Sequence, residues 1–317
     1  MKQKNNILTI IWAISVILAA TFWSLDGVLI RPKFYSFSVI NIVFIEHFLW
    51  AIILSPFLIL WYKKLKTISK KNILSLMWVC VFWWLIWTLA ITKAFFSAYE
   101  EKEILSTVVI LQKLQPIFAL FLARIILKEK QSLWFYSWAT VVLLSAYLMV
   151  FWAFWKDIFN INLFKIPAFY AILAAFAFGS STVFWKDLVD SLWFKLTSSL
   201  RFTITCVLAL IVLLIFGNFE PFWEIFNLNT NIVVFGLGLN IKSIILIAFI
   251  ESWAIFLYYF GMKKISASAT TIFELAWPLS AIFFEYKFYW HTLNQTQIIA
   301  SIVLLISFFM ITQKPKF

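Results

Sequence analysis

At 317 residues, 64% hydrophobic and 13% charged, with a mean hydropathy of +0.95, this chain departs from a soluble domain, which sits near half apolar and a quarter charged. The formal net charge of +12 does not mark a nucleic-acid surface, because the lysines gather in short connections between long apolar runs, as in the cytoplasmic loops of membrane proteins. Two cysteines, Cys80 and Cys206, both lie inside apolar runs, and with His47 and His291 as the two histidines they offer neither a disulfide framework nor a zinc set.

The apolar runs are about 20 residues long, the length that crosses a bilayer core as a helix. A membrane barrel needs alternating segments of about ten residues instead. The chain therefore reads as an all-α membrane protein with spans near 7–30, 37–61, 73–97, 104–126, 132–154, 167–188, 196–217, 241–262, 267–286 and 295–312. The first run is longer than a signal-peptide core and lacks a small-residue cleavage site, so it is expected to be a retained first helix. Most connections are short. The longest, about 218–240, is Asn-rich, contains Glu220, Pro221 and Glu224, and has no basic residue before Lys242.

Orientation follows from the basic residues. With the N-terminus inside, Lys2, Lys4, Lys63, Lys64, Lys66, Lys70, Lys71, Lys128, Lys130, Lys186, Lys195, Lys263, Lys264, Lys314 and Lys316 fall on the cytoplasmic side. The opposite side collects the shorter set Arg31, Lys33, Lys102, Lys156, Lys165, Lys242 and Lys287, so both termini are expected in the cytoplasm of a bacterial cell, with the chain in its inner (plasma) membrane.

An internal repeat organises the chain. Leu114-Gln115-Pro116-Ile117-Phe118-Ala119 aligns with Ala276-Trp277-Pro278-Leu279-Ser280-Ala281, which places Gln112 opposite Glu274. Earlier in each half, Phe22-Trp23-Ser24 aligns with Phe178-Gly179-Ser180. Each half, 1–154 and 155–317, then holds five spans, and an odd number turns the second copy upside down in the membrane. Ten transmembrane helices in two inverted five-helix repeats are the arrangement of alternating-access carriers, with the substrate site at the repeat interface.

The chain resembles the EamA type of the drug/metabolite transporter superfamily. The resemblance is carried by Leu25-Asp26-Gly27-Val28 with Arg31-Pro32-Lys33, by Glu46-His47, and by Thr88-Leu89-Ala90-Ile91-Thr92-Lys93-Ala94. It continues in Leu111-Gln112-Lys113-Leu114-Gln115-Pro116, Gly179-Ser180-Ser181-Thr182-Val183-Phe184, Tyr258-Tyr259-Phe260-Gly261 and Glu274-Leu275-Ala276-Trp277-Pro278-Leu279-Ser280-Ala281. It implies a carrier of small metabolites working by exchange or ion coupling, and leaves the substrate open.

One feature departs from that pattern. There are 18 Trp and 6 Gly, where average usage predicts about 22 Gly. Trp83, Trp84, Trp87 and Trp253 fall in mid-span rather than at the interfaces where Trp gathers. Trp83 with Trp87, and Trp134 with Trp138, have the spacing of a small-residue packing motif. Trp290 lies in a loop, Tyr289-Trp290-His291-Thr292, that would suit Gly. This pattern is expected where a cell reads the UGA codon as glycine; the alternative is a tryptophan-rich protein from an AT-rich genome.

A charge at a span centre costs about 2.5–3.5 kcal/mol on insertion scales, so it faces a partner or a cavity. Asp26, Glu46, His47, Lys93, Lys113, Arg201, Glu251 and Glu274 are such groups, and mutual neutralisation across helices is the plain structural role for several of them. Gln112, Lys113, Glu274, Ser181, Thr182 and Lys93 are the substrate-binding candidates. Pro116 and Pro278 are candidate hinges, since a helix-interior proline frees the carbonyl one turn earlier, that of residue 112 or 274. Glu274, Glu46 and His47 are the candidates for proton coupling. No cofactor, metal or nucleic-acid partner is expected. The partners are a small-molecule substrate, the lipid bilayer and, in a homodimer, a second copy. No glycine-rich phosphate loop is present for ATP-driven pumping. The alternative, a lipid-handling protein or membrane enzyme, lacks any paired-carboxylate or histidine-rich cluster.

Overall fold

The computed structural model describes residues 2–34, 37–87, 90, 93–94, 111–151, 166–216, 222–234, 237–290 and 292–313. The helices α1 (Lys2–Leu25), α2 (Val39–Leu60) and α3 (Lys70–Val79) open the chain. A π-helical stretch, Asp26–Ile30, extends α1, and a second one, Cys80–Ile86, extends α3. After α4 (Gln115–Ile126) and α5 (Leu133–Phe151) come α6 (Ile166–Ser191), α7 (Phe194–Phe216) and the short α8 (Phe222–Asn227). The strands β1 (Asn229–Val234) and β2 (Leu237–Lys242) lead to α9 (Ser243–Met262), α10 (Ala267–Phe273), α11 (Ala276–Tyr289) and α12 (Gln295–Thr312).

Seven spans are long and apolar enough to cross a membrane among the described residues, with α4 and α5 as shorter apolar helices. The expected spans 73–97, 104–126 and 132–154 fall partly outside the described residues. The outward faces are apolar in the way lipid requires: Leu214, Phe249, Trp253, Ile299, Ile302 and Phe309 are exposed. Serines, threonines and the charged Asp26, Glu46, Arg201 and Glu274 are buried inside.

The two halves pack alike. The most extensive contacts are α1 on α9, α2 on α7, α5 on α12 and α4 on α6, followed by α1 on α11 and α3 on α6. Exchanging the halves converts this pattern into itself, pairing α1–α9 with α3–α6 and α4–α6 with α1–α11. Backbone detail repeats as well. Lys128, after α4, has φ 55°, and Trp290, after α11, has φ 57°, 162 residues further on. At the same separation, Ser132 accepts from the Phe135 amide to cap α5, and Asn294 caps α12 in a reciprocal box with Gln297.

Where the sequence suggested a plain loop at 218–240, the described part holds α8 and an antiparallel hairpin with Val234 paired to Leu237. The hairpin is tied to the α1–α2 connection by Lys33, whose Nζ donates to the Asn229 carbonyl at 2.8 Å, and to α9 by Thr230 and Ser243, 2.8 Å apart.

At the start of α10, Glu129, in the α4–α5 connection, reaches across to the other half. Its carboxylate accepts from the Ala267 amide at 2.7 Å, the Ser268 amide at 3.0 Å and the Ser268 hydroxyl at 2.6 Å. Gln131 donates to Ser266 Oγ at 3.0 Å beside it. A carboxylate at a helix start satisfies amides that have no partner within the helix and meets the positive end of its dipole.

Candidate functional site

Helices α10 and α11 form one span, interrupted at Glu274–Leu275 just before Pro278. The corresponding interruption before Pro116 falls at Lys113–Leu114, where α4 begins. The expectation that proline would release the Glu274 carbonyl is corrected here: the chain tightens into a three-residue turn and Trp277 N–H donates to that carbonyl at 3.0 Å. The break instead aims the Glu274 side chain inward.

Glu274 is 8% exposed and is held from two sides. Gln115 Nε2, on α4, donates to Oε2 at 2.6 Å, and the Tyr258 hydroxyl, on α9, donates to Oε1 at 2.5 Å. Thr182, on α6, neighbours Tyr258, its hydroxyl donating to the Phe178 carbonyl at 3.3 Å. Lys113 lies within electrostatic reach of Glu274, with its Nζ 4.6 Å from the centre of the Trp277 ring. Such cation–aromatic contact is worth about 0.5–2 kcal/mol, more when desolvated. Thr21 and Ser280 hydroxyls meet at 2.9 Å where α1 crosses α11. Helix α4 of the first half and helix α9 of the second thus meet the α10–α11 span at one carboxylate.

Of the residues singled out in the sequence, Glu274, Lys113 and Thr182 come together here. Gln112 is half-buried one turn before Gln115, and it is Gln115 that reaches Glu274. Ser181 is buried, its hydroxyl turned back to the Ala177 carbonyl at 2.8 Å. Lys93 is exposed. Pro116 and Pro278 are buried at the two helix breaks. Glu46 and His47 are buried on α2, where His47 contacts the Val43 carbonyl at 2.9 Å and packs its ring on Trp50 and on Phe202 of α7. Gln115 and Tyr258 were missed as site residues: neither is charged, and the repeat alignment set Gln112, not Gln115, opposite Glu274. The carboxylate that must be satisfied was the signal that could have found them.

A second buried group adjoins the first. Tyr259 packs beside Tyr258 with ring centres 5.4 Å apart, receives a hydrogen bond from Arg201 of α7, and lies 4.2 Å from the Trp185 ring. The Cys80 thiol points at the Arg201 carbonyl at 3.8 Å. Elsewhere, a hollow of about 320 Å³ among Leu120, Phe121, Arg124, Ile125 and Tyr136 lies on the face of α4 and α5 and is almost wholly apolar. Specific recognition needs convergent polar groups, so the Glu274 cluster is the better candidate.

The signature of the EamA-like transporter family matches residues 10–151 and 165–313. The chain is 33% identical over 305 residues to the riboflavin transporter ImpX of Fusobacterium nucleatum subsp. nucleatum, covering 95% of this chain and 97% of that one. A solved crystal structure of a protein 11% identical in sequence superposes with a TM-score of 0.66 over 95% of this chain and 94% of its own, which shows the fold alone. A polar cluster enclosed by apolar spans, two repeats and this likeness agree: the chain is a membrane transporter belonging to the EamA-like transporter family of the drug/metabolite transporter superfamily.

Proposed function

We propose that this chain is a secondary transporter that carries riboflavin, or a flavin close to it, across the bacterial plasma membrane by alternating access between two inverted repeats. The observation that carries the substrate is the likeness, at 33% identity and over nearly the full length of both chains, to a protein named as a riboflavin transporter. The mechanism is supported by the polar cluster around Glu274, which draws on α4, α6, α9 and the α10–α11 span. The helix breaks before Pro116 and Pro278 give both halves a place to bend. Both termini are assigned to the cytoplasm. We assign solute contact to Lys113, Gln115, Glu274 and Thr182, and the coupling role to Glu274 ahead of the Glu46–His47 pair.

Uptake or efflux of riboflavin by proteoliposomes holding the purified chain tests this reading. Saturable flux is expected, at least tenfold lower in Glu274→Ala with the melting transition retained. A proton-coupled carrier also loses flux when the pH gradient is collapsed, and an exchanger does not unless the internal flavin is removed. Flux no greater than that of empty liposomes under every gradient would sink the flavin assignment.

A further inference from the structure

The Glu274 cluster presents a defined order of hydrogen-bonding groups. On one side stands a donor, the Tyr258 hydroxyl. In the middle stands the Glu274 carboxylate, which accepts. On the other side stands a second donor, the Gln115 amide nitrogen. Both donors bond to the carboxylate. The complementary ligand edge is acceptor, donor, acceptor: a ring N–H flanked by two carbonyls. A cyclic imide has that edge, and the pyrimidinedione end of the flavin ring system is one.

We propose that Glu274, Gln115 and Tyr258 read the imide edge of the substrate, so that this carrier recognises a planar cyclic imide by its ring end and not by its sugar-alcohol chain. The inference rests on the flavin reading above. On binding, the imide N–H donates to the Glu274 carboxylate, and the Gln115 amide and Tyr258 hydroxyl turn from Glu274 to the two flanking carbonyls. Two hydrogen bonds inside the protein are exchanged for three to the ligand. Three residues after Glu274, Trp277 is half-buried and offers a flat ring with the Lys113 ammonium 4.6 Å from its centre. A site built to bond a polar hydrogen rejects analogues lacking it far more strongly than an apolar pocket rejects a change of size, because its own polar groups are left unpaired.

Binding to the purified native chain in nanodiscs, read by quenching of flavin fluorescence, tests this with three ligands. Riboflavin carries the edge and the chain, lumiflavin the edge without the chain, and N3-methylriboflavin the chain with the edge blocked. Riboflavin and lumiflavin are expected to bind within a few-fold of each other, and N3-methylriboflavin at least tenfold more weakly. Tyr258→Phe, which keeps the ring and removes one donor, and Glu274→Gln are each expected to shrink the ratio between riboflavin and its N3-methyl derivative. A general packing role would weaken both ligands alike. Equal binding of riboflavin and N3-methylriboflavin, or a ratio unchanged in both variants, overturns the imide assignment while leaving flavin transport standing. Absence of binding by any of the three overturns the flavin reading itself, and the imide assignment falls with it.

A different set of observations carries a second inference. Trp290 follows α11 with φ 57° and ψ 26°, the left-handed conformation that ends helices and that glycine adopts without penalty. Trp23 is the repeat partner of Gly179, where any Cβ would lie 2.6 Å from the Gln115 carbonyl. We infer that glycine stands at positions 23 and 290 in the protein as its own cell makes it, the UGA codon being read there as glycine. The gene should carry TGA at both codons, and peptides from native cells spanning them should be lighter by the difference between an indolylmethyl group and hydrogen. A TGG codon, or a native peptide of tryptophan mass, overturns the assignment at that position.

Discussion

Gly179 and Gly261 each let two helices touch backbone to backbone. A Cβ on Gly179 would sit 2.6 Å from the Gln115 carbonyl oxygen and 3.1 Å from the Ala119 nitrogen, and one on Gly261 would sit 2.6 Å from the Trp12 carbonyl oxygen. Neither obstacle is a flexible side-chain end that can swing away. Gly27 differs: its Cβ would meet Trp277 Cζ2 at 3.4 Å, an ordinary contact. Gly179→Ala is therefore expected to destabilise the protein by about 1–3 kcal/mol, the usual cost of overpacking, and Gly27→Ala to leave it unchanged, both read from thermal unfolding in detergent. A displaced α4 also moves Gln115, so Gly179→Ala should weaken the proposed riboflavin flux beyond its effect on stability. Equal melting of the two variants would contradict the close approach. At this scale the sequence was partly legible. Glu274 and Lys113 stand out because charge inside a membrane demands a reason. Tyr258 and Gln115 do not, since their partners are fixed only once α4, α9 and α10 meet.

The spans themselves were legible, because runs of about 20 apolar residues have one stable form in lipid. The expected 37–61, 167–188, 196–217 and 295–312 appear as α2, α6, α7 and α12 within a few residues. The division of 267–286 into α10 and α11 was half legible: Pro278 announced a disturbance, but only the folded chain shows Glu274 and Leu275 leaving the helix before it. The hairpin was not legible, since Asn229–Val234 carries as much turn as strand character and its register depends on anchors at Lys33 and Ser243. The Glu129 clasp was hidden for a similar reason, because its partners lie 138 and 139 residues away. It holds the start of α10 against the α4–α5 connection. Loss of a helix cap costs about 0.5–2 kcal/mol, so Glu129→Ala should lower the melting temperature, while Glu285→Ala, at an exposed position, should not. Because the clasp joins the two halves, Glu129→Ala is also expected to change the transport rate. An unaltered rate and melting temperature would show that this end of the molecule is not held by Glu129.

For the whole molecule, the decisive question is how the halves face. Their helices pack in a pattern that survives exchange of the halves, and the left-handed residues Lys128 and Trp290 recur at the repeat spacing. Parallel copies would satisfy both facts as well as inverted ones. The proposed inverted arrangement rests on the basic residues: Lys70 and Lys71 precede α3, Lys263 and Lys264 follow α9, and both sets share the cytoplasmic face if each half contributes five spans. Asn229 and Lys287 then lie outside. The native cysteines leave a low background for labelling, since Cys80 is buried and Cys206 only partly accessible on α7. Single replacements Lys70→Cys, Lys264→Cys, Asn229→Cys and Lys287→Cys, probed in intact cells with a thiol reagent that cannot cross the membrane, should divide into two unreactive and two reactive positions. Permeabilising the cells should make Lys70→Cys and Lys264→Cys reactive as well. If those two positions respond from opposite faces, the halves do not each cross the membrane five times. The pseudo-symmetric exchange that would carry the Glu274 cluster from one side to the other would then have no structural basis.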